Sequence, residues 1–390
     1  MKNIFITVVL LVAASPAAFC QDDFDEYDPE GWYKSNGGKK WHKKEFDKDC
    51  PVKCKFCQDK TRKLLDKLSS VYSLEDKNLE KEYEKEIDDI GNSIWDDFIV
   101  TRSFFGLAFL AEGSTLKNGK YKKEINHCFD YVCKHIFDYA GKKEDVVSVF
   151  EIAFGSIFLT EVFQKNPDEK LKTLLDHAYK YLKSAQDKSG GYSSTVDSAK
   201  SYEYVIGTNV AAVAVSMLKL CGIKTDNSVD DNLIKYYPKC AHDDGGMDYS
   251  SWITSSAKKQ MRVQKAQQQV DPHADFSADR TGGAVAALIS LNATDKDVFK
   301  NAVKFLESHI HEIMWGHCGA SADLGRFMCG VACYKLGGDI RKKFQNQILS
   351  LNKYPITDSD FTLPFWPQAV DAILLQAPLG NLSLFKLNQK

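Results

Sequence analysis

From Phe98 onward the chain alternates between two hydrophobic patterns. The first is apolar on nearly all sides and rich in small residues. It covers Phe98–Ala111, Val146–Val162, Thr208–Leu220, Thr281–Ser290, Ser321–Leu336 and Trp366–Leu375. A helix that is apolar around its circumference must be buried all round. Gly106, Ala108, Gly155, Ala211, Ala214, Gly283, Ala286, Gly330 and Ala332 thin these segments, so neighbouring helices can approach closely. The second pattern is amphipathic. Ile125, Cys128, Phe129, Val132 and Ile136 form one stripe; Leu171, Leu174, Leu175, Ala178 and Leu182 form another; Phe299, Ala302, Val303, Leu306 and Ile310 form a third. Each follows i, i+3, i+4 spacing, with Lys, Asp and Glu opposite. Shorter members are predicted at Leu233–Lys239 and Ile340–Leu351. Leu64, Leu65, Leu68 and Val71 place a sixth over Thr61–Tyr72.

The helix starts and turns recur as well. Asn166-Pro167-Asp168-Glu169 sets a cap, a first-turn proline and an acid before one amphipathic segment, and Thr294-x-x-Asp297 predicts a similar start for another. Glycine turns follow at Gly190-Gly191-Tyr192, Gly245-Gly246-Met247 and Trp315-Gly316-His317. Six buried helices inside and six amphipathic helices outside predict an all-α fold, an α6/α6 toroid. Each hairpin leaves an apolar flank open, and circular closure covers all the flanks at once. The lysine- and glutamine-rich stretch Ser255–Val270 reads as a surface excursion between two repeats.

Tyr181-Leu182-x3-Gln186-x3-Gly190-Gly191-Tyr192 resembles the repeat of terpenoid cyclases and protein prenyltransferase β-subunits. Gln368-Ala-Val-Asp371 through Gln376, Pro378, Leu382 and Phe385 resembles the last helix of exported bacterial proteins bearing that repeat. The resemblance spans residues 95–385 and implies the toroid; it does not imply an activity. The cyclases' Asp-x-Asp-Asp acid has only Val229-Asp230-Asp231 as a counterpart. That string lacks the first Asp and reads as helix-capping acid in a polar loop. The zinc-binding Asp-x-Cys of the prenyltransferases stands before none of the inner helices, so neither activity is carried over.

Outside the repeats, Lys2 and the apolar run Ile4–Ala14 predict a signal peptide over residues 1–20, cut before Gln21. Residues 21–60 read as an irregular, cysteine-containing N-terminal arm, acidic and then basic, and residues 61–390 as the toroid domain. No later stretch reaches the ~18 apolar residues of a spanning helix. The expectation is therefore a secreted, extracellular or periplasmic protein without a transmembrane segment. With 51 Lys+Arg against 53 Asp+Glu, nothing in the charge balance suits nucleic acid. Once Cys20 leaves with the leader, Cys50, Cys54, Cys57, Cys128, Cys133, Cys221, Cys240, Cys318, Cys329 and Cys333 are the disulfide candidates of an oxidising compartment. A bond within Cys128/Cys133 or Cys329/Cys333 would fight helix geometry, so bridges are expected between elements. Asn292-Ala-Thr294 and Asn381-Leu-Ser383 are glycosylation sequons.

Three constellations invite chemistry. Cys50-x3-Cys54-x2-Cys57 has the spacing of radical-SAM cluster ligands. However, export and the absence of a strand–helix barrel pattern favour disulfides, within or between subunits. His317-Cys318 is the weak metal candidate. It reverses the Cys-His order of the zinc-dependent lanthipeptide cyclases, and zinc needs three or four convergent ligands. No cofactor is expected. Asp279, Arg280, His317, Asp323, Arg326 and Asp371, with Arg102, Asn209 and Gln368, stand near the starts of the inner helices, where the ring opens. His242-Asp243-Asp244 and His273-x-Asp275 lie on adjoining loops. Two carboxylates and a histidine suit acid–base work on a glycan. Equally, such groups satisfy buried helix ends and one another. Trp252, Trp315, Phe365 and Trp366 either stack on sugars or fill the ring.

The chain thus reads as a binding or extracellular assembly subunit, self-associating through its arm, with a glycan or an apolar molecule as candidate ligand. The alternative is a polysaccharide- or terpenoid-active enzyme that uses acidic residues and His in the ring cavity.

Overall fold

The computed structural model describes residues 55–72, 98–139, 148–193, 203–251, 278–311, 319–351 and 366–386. Within its helices, residues 55–57, 71–72, 98, 138–139, 319–323, 349–351 and 366–367 are described by their backbone alone. The described part is all-α, with twelve α-helices and no strand. In chain order they are α1 (Lys55–Tyr72), α2 (Phe98–Glu112), α3 (Lys122–Tyr139), α4 (Val149–Lys165), α5 (Glu169–Ala185), α6 (Val205–Leu220), α7 (Asn227–Cys240), α8 (Ala278–Ser290), α9 (Asp297–His309), α10 (Gly319–Leu336), α11 (Gly338–Leu351) and α12 (Trp366–Gln376). Short 3-10 turns follow at Ala377–Leu379 and Ser383–Phe385.

The two hydrophobic patterns sort as read. In α4 every residue from Ile152 to Val162 is buried, and in α6 every residue from Val205 to Leu218. In α5, by contrast, only Leu171, Leu174, Leu175, Ala178, Tyr179, Leu182 and Ala185 are buried. The even-numbered helices pack on one another in order, α2 on α4, α4 on α6, α6 on α8, α8 on α10 and α10 on α12. In addition, α12 packs against α2. Among the odd-numbered helices, α3, α5 and α11 each lie against both even-numbered neighbours, α7 lies against α6, α9 against α8, and α1 against α2 and α12. The tightest crossing joins α8 to α10. A Cβ at Gly282 would overlap Cys329, and one at Gly325 would overlap Asp279.

Helix starts follow local chemistry, with three departures from expectation. Ser148 and Glu151 form a reciprocal capping box on α4, and Asp168 accepts from the backbone N–H groups of Lys170 and Leu171 at 2.9 and 3.0 Å. The start predicted from Thr294 and Asp297 does not form. Lys296 is the N-cap of α9 and makes no side-chain cap bond. Asp230 and Asp231 lie in the opening turns of α7, not in a loop, and Asp230 pairs with Lys219. The first helix begins at Lys55, inside the stretch expected to be an irregular arm.

The repeated glycine turns are built alike. Asp187 N–H donates to Gly191 O and Gly190 N–H to Asp187 O. In the next repeat His242 N–H donates to Gly246 O and Gly245 N–H to His242 O, all at 2.9–3.1 Å. Tyr192 N–H then donates to Thr208 Oγ1 and Met247 N–H to Thr281 Oγ1, at 2.9 and 3.0 Å, hanging each turn on the following inner helix. Gly190 and Gly245 have φ of 98° and 96° and press on the Asn232 and Asn301 carbonyl oxygens of the next outer helix. Gln186 adds a tie, its Nε2 donating to Gly190 O and to Val229 O at 3.1 and 3.0 Å. The third turn, Trp315–His317, lies outside the described residues, as does the excursion 255–270.

A backbone at positive φ costs a non-glycine residue about 1–2 kcal/mol before any overlap is counted. Gly190→Ala is expected to lose more than about 2 kcal/mol, because its Cβ meets backbone that cannot swing away. Gly222, at φ 74° with open space around it, supplies the control. Gly222→Ala should lose only the backbone share. Urea midpoints separate the two, and equal losses would show that the turn does not bear on α7.

Candidate functional site

The polar groups at the beginnings of the inner helices form a connected arc across α6, α8, α10 and α12. Asn209 is 2 % exposed, and its Nδ2 donates to Arg280 O at 3.0 Å. Arg280 turns outward, its Nε donating to Met247 O at 3.2 Å and its guanidinium lying 5.9 Å from the Tyr249 ring centre. Asp279, 5 % exposed, is pressed on Gly325. Arg326, next along α10, reaches across to Asp371 of α12 at 3.2 Å, both side chains being largely shielded from water. Arg102, on α2, is buried with its guanidinium 5.4 Å from the Tyr131 ring centre. On the loop before α8, His242 Nε2 lies 3.2 Å from Asp248 Oδ2, and Asp248 Oδ1 accepts from Tyr249 N–H at 2.8 Å. Asp244 accepts from Gly246 N–H and shapes its own turn.

Of the residues read as site candidates, Asn209 is thus tied to Arg280, Asp279 sits against α10, and Arg326 pairs with Asp371. For Asp323 the structure describes only its place in α10. His317, Cys318, His273, Asp275, Trp252, Trp315 and Phe365 lie outside the described residues, and the Trp366 side chain is likewise not described. Among the described residues no group of His, Cys, Asp and Glu is arranged to hold a metal ion. Asp371 is matched by the Arg326 guanidinium. The arc is suited to holding helix starts together and to presenting hydrogen bonds.

Buried aromatic rings from α2, α4 and α10 meet in one cluster. Phe104 of α2, Phe154 of α4 and Phe327 of α10 are each 0 % exposed. Phe104 lies 4.8 Å from Phe154 and 5.0 Å from Phe327 between ring centres, and Phe327 is 6.3 Å from Phe154 and 6.2 Å from Phe385. Phe327 meets Phe104 and Phe385 edge to face, an arrangement aromatic quadrupoles favour, while Phe154 is tilted against both Phe104 and Phe327.

The opposite end holds a cluster that the sequence reading did not single out. Glu161, buried near the end of α4, accepts from Ser383 N–H, Ser383 Oγ and Leu384 N–H at 3.0, 2.8 and 2.7 Å. These bonds stake the segment after α12 onto α4, and Asn381 Nδ2 and Gln376 Nε2 tie it to Ala111 O and Ala108 O of α2. Lys165 Nζ donates to Asn381 O. Burial raises the Glu161 carboxyl despite its three donors and the nearby Lys165. Lys335, 5 % exposed at the end of α10, donates to Ser290 Oγ at 3.4 Å. Burial pulls its ammonium down to about 8, against the opposing pull of Glu161. The available signal was Glu161 itself, a lone carboxylate in the apolar run Ile157–Val162.

None of the six cysteines whose side chains are described, Cys128, Cys133, Cys221, Cys240, Cys329 and Cys333, is bridged to another of them, so the structure joins no two of these disulfide candidates. Five of them are buried inside helix packing or at a helix end. There burial pushes Cys221 and Cys240 up to about 12, and they act as small apolar residues. Cys50, Cys54 and Cys318 lie outside the described residues, as does the Cys57 side chain. Among the described residues no helix is long and apolar enough to cross a membrane.

No family model, curated protein or solved structure matches the chain.

The lowered Lys335 makes a pH prediction. The unfolded chain holds the lysine proton up to about pH 10.5, whereas the folded chain releases it near 8. The unfolded state therefore binds more protons in that window, and this group's contribution to stability rises with pH there, by roughly 3 kcal/mol in all. The buried thiols and tyrosines, raised in the fold, pull the other way. The readout is consequently wild type minus Lys335→Met, in urea midpoints from pH 7.5 to 10.5. A difference that stays flat across the window would show that Lys335 is charged and solvated.

Proposed function

We propose that this chain is an exported α6/α6 toroid that works as a binding or extracellular assembly subunit. The observation that carries the reading is the fully buried aromatic cluster of Phe104, Phe154 and Phe327, which packs α2, α4 and α10 together without a cleft between the rings. Closure into a toroid is supported by the packing of α12 on α2, which covers the flanks of the first and last hairpins. The matching turns at Gly190 and Gly245 and the terpenoid cyclase-like Tyr181–Tyr192 repeat support it as well. Export rests on the leader pattern of residues 1–20, and self-association on the thiols of the arm, Cys50, Cys54 and Cys57.

The test is light scattering with size-exclusion chromatography on the full chain made through a secretory route, with and without reductant. A self-associated species is expected, and replacing Cys50, Cys54 and Cys57 together by Ser should dissolve it. A chain that stays monomeric at every concentration sinks the assembly role. The second reading, an enzyme acting on polysaccharide or a terpenoid-like ligand, draws on the polar arc. Turnover abolished by Asp279→Asn or Asp371→Asn would establish it in place of the first.

A further inference from the structure

We infer that Asn292 is an N-glycan attachment site and that Asn381, in the second sequon, is not one. The inference rests on the export reading, since only an exported chain meets the donor. Asn292 is the one non-glycine among the described residues with positive φ, 56°. It follows the last turn of α8, where Asn292 N–H donates to Ile289 O at 3.0 Å and Ala293 N–H donates back to Leu288 O at 2.9 Å. This is the glycine-favouring end of a helix. The matching ends of α6 and α10 use Gly222 and Gly337, at φ 74° and 70°. At α8 alone of these three, the station carries a side chain. That side chain is exposed, Ala293 beneath it is buried and Thr294 is exposed again, so amide and hydroxyl both face water on a pinned turn.

Asn381 is placed in the opposite way. Its Nδ2, the atom a glycan would occupy, donates to Ala111 O at 2.9 Å and would lie 3.3 Å from a Cβ on Gly113. The hydroxyl of its sequon, Ser383 Oγ, is committed to Glu161 at 2.8 Å. A sugar there would have to break both ties and lift the segment off α2 and α4. In the reaction, Asn292 Nδ2 bonds to the anomeric carbon of an oligosaccharide carried on a lipid diphosphate. The lipid diphosphate departs with the bonding pair, and the amide nitrogen gives up one proton.

The experiment expresses the full chain in a eukaryotic secretory cell line, once with its own leader and once with a leader of known competence. Intact mass and glycopeptide mapping are read before and after peptide-N-glycosidase. One glycan is expected, at Asn292. Asn292→Gln, Asn292→Gly and Thr294→Ala should each remove it, the glycine variant keeping the turn's geometry. Asn381→Gln should leave it unchanged. A secreted chain bare at Asn292, or one occupied at Asn381, overturns the inference. Retention in the cytosol with its own leader, together with an occupied Asn292 under the competent leader, would instead remove the export reading and leave the site standing.

Discussion

Glu161→Ala is expected to destabilise the protein by roughly 3–5 kcal/mol and to free the segment between Ala377 and Phe385 from its seat. The carboxylate is the shared acceptor for two backbone N–H groups and one hydroxyl, and its charge works against the lowering of buried Lys335. Truncation leaves buried donors unpaired and a buried ammonium uncompensated, each a named route to large losses. The local signature is hydrogen exchange. Protection at Ser383 and Leu384 should collapse in the variant while the middle of α6 keeps its own. Pairing the change with Lys335→Met should restore part of the loss, because the lysine no longer needs a partner. If Ser383 and Leu384 exchange as in wild type, the carboxylate is not what holds the segment.

Phe327→Ala should cost about 3–5 kcal/mol, the range for removing a fully buried phenylalanine. It meets rings from α2, α4 and the segment after α12, so the void would open at a junction of elements too far apart in sequence to collapse together. An apolar void of this kind stays dry and takes up small aromatic molecules. Benzene or indole is therefore expected to raise the melting temperature of the variant and leave wild type unmoved. Phe327→Leu should recover most of the loss, missing mainly the ring-to-ring share of about 0.5–1.5 kcal/mol. Wild-type stability in Phe327→Ala, with no response to ligand, would mean that the centre is not packed, and the binding-or-assembly reading would lose its main support.

Much of the architecture was legible because burial leaves a periodic mark. Helices wetted on one side, such as α5 and α9, show their stripe, and helices covered on all sides, such as α4 and α6, show none. The glycine turns were legible because the conformation at Gly190 and Gly245 admits few other residues. Capping was less so. Thr294 and Asp297 had the spacing of a cap, but Lys296 is the N-cap, beyond the tight end of α8 at Asn292 and Ala293.

The candidate site divides along the same line. That Asn209, Asp279, Arg280, Arg326 and Asp371 stand near inner-helix starts follows from counting along each helix. The pairing of Arg326 with Asp371 and the seat of Asp279 on Gly325 do not, since these depend on which helices become neighbours. The cysteines show the limit from the other side. Composition and a leader pattern argued for bridges, but Cys329 is buried against α8 with its Sγ facing Ala278 O, and none of the six cysteines with described side chains is bridged to another of them.

Local and periodic information, carried by the order of residues alone, determined the helices, their two kinds and the turns between them. Tertiary structure decided what fills the middle, which buried charges face each other and which of two sequons stays exposed. Those outcomes depend on contacts between residues as distant as Glu161 and Ser383 or Phe104 and Phe327, and no pattern along the chain records them.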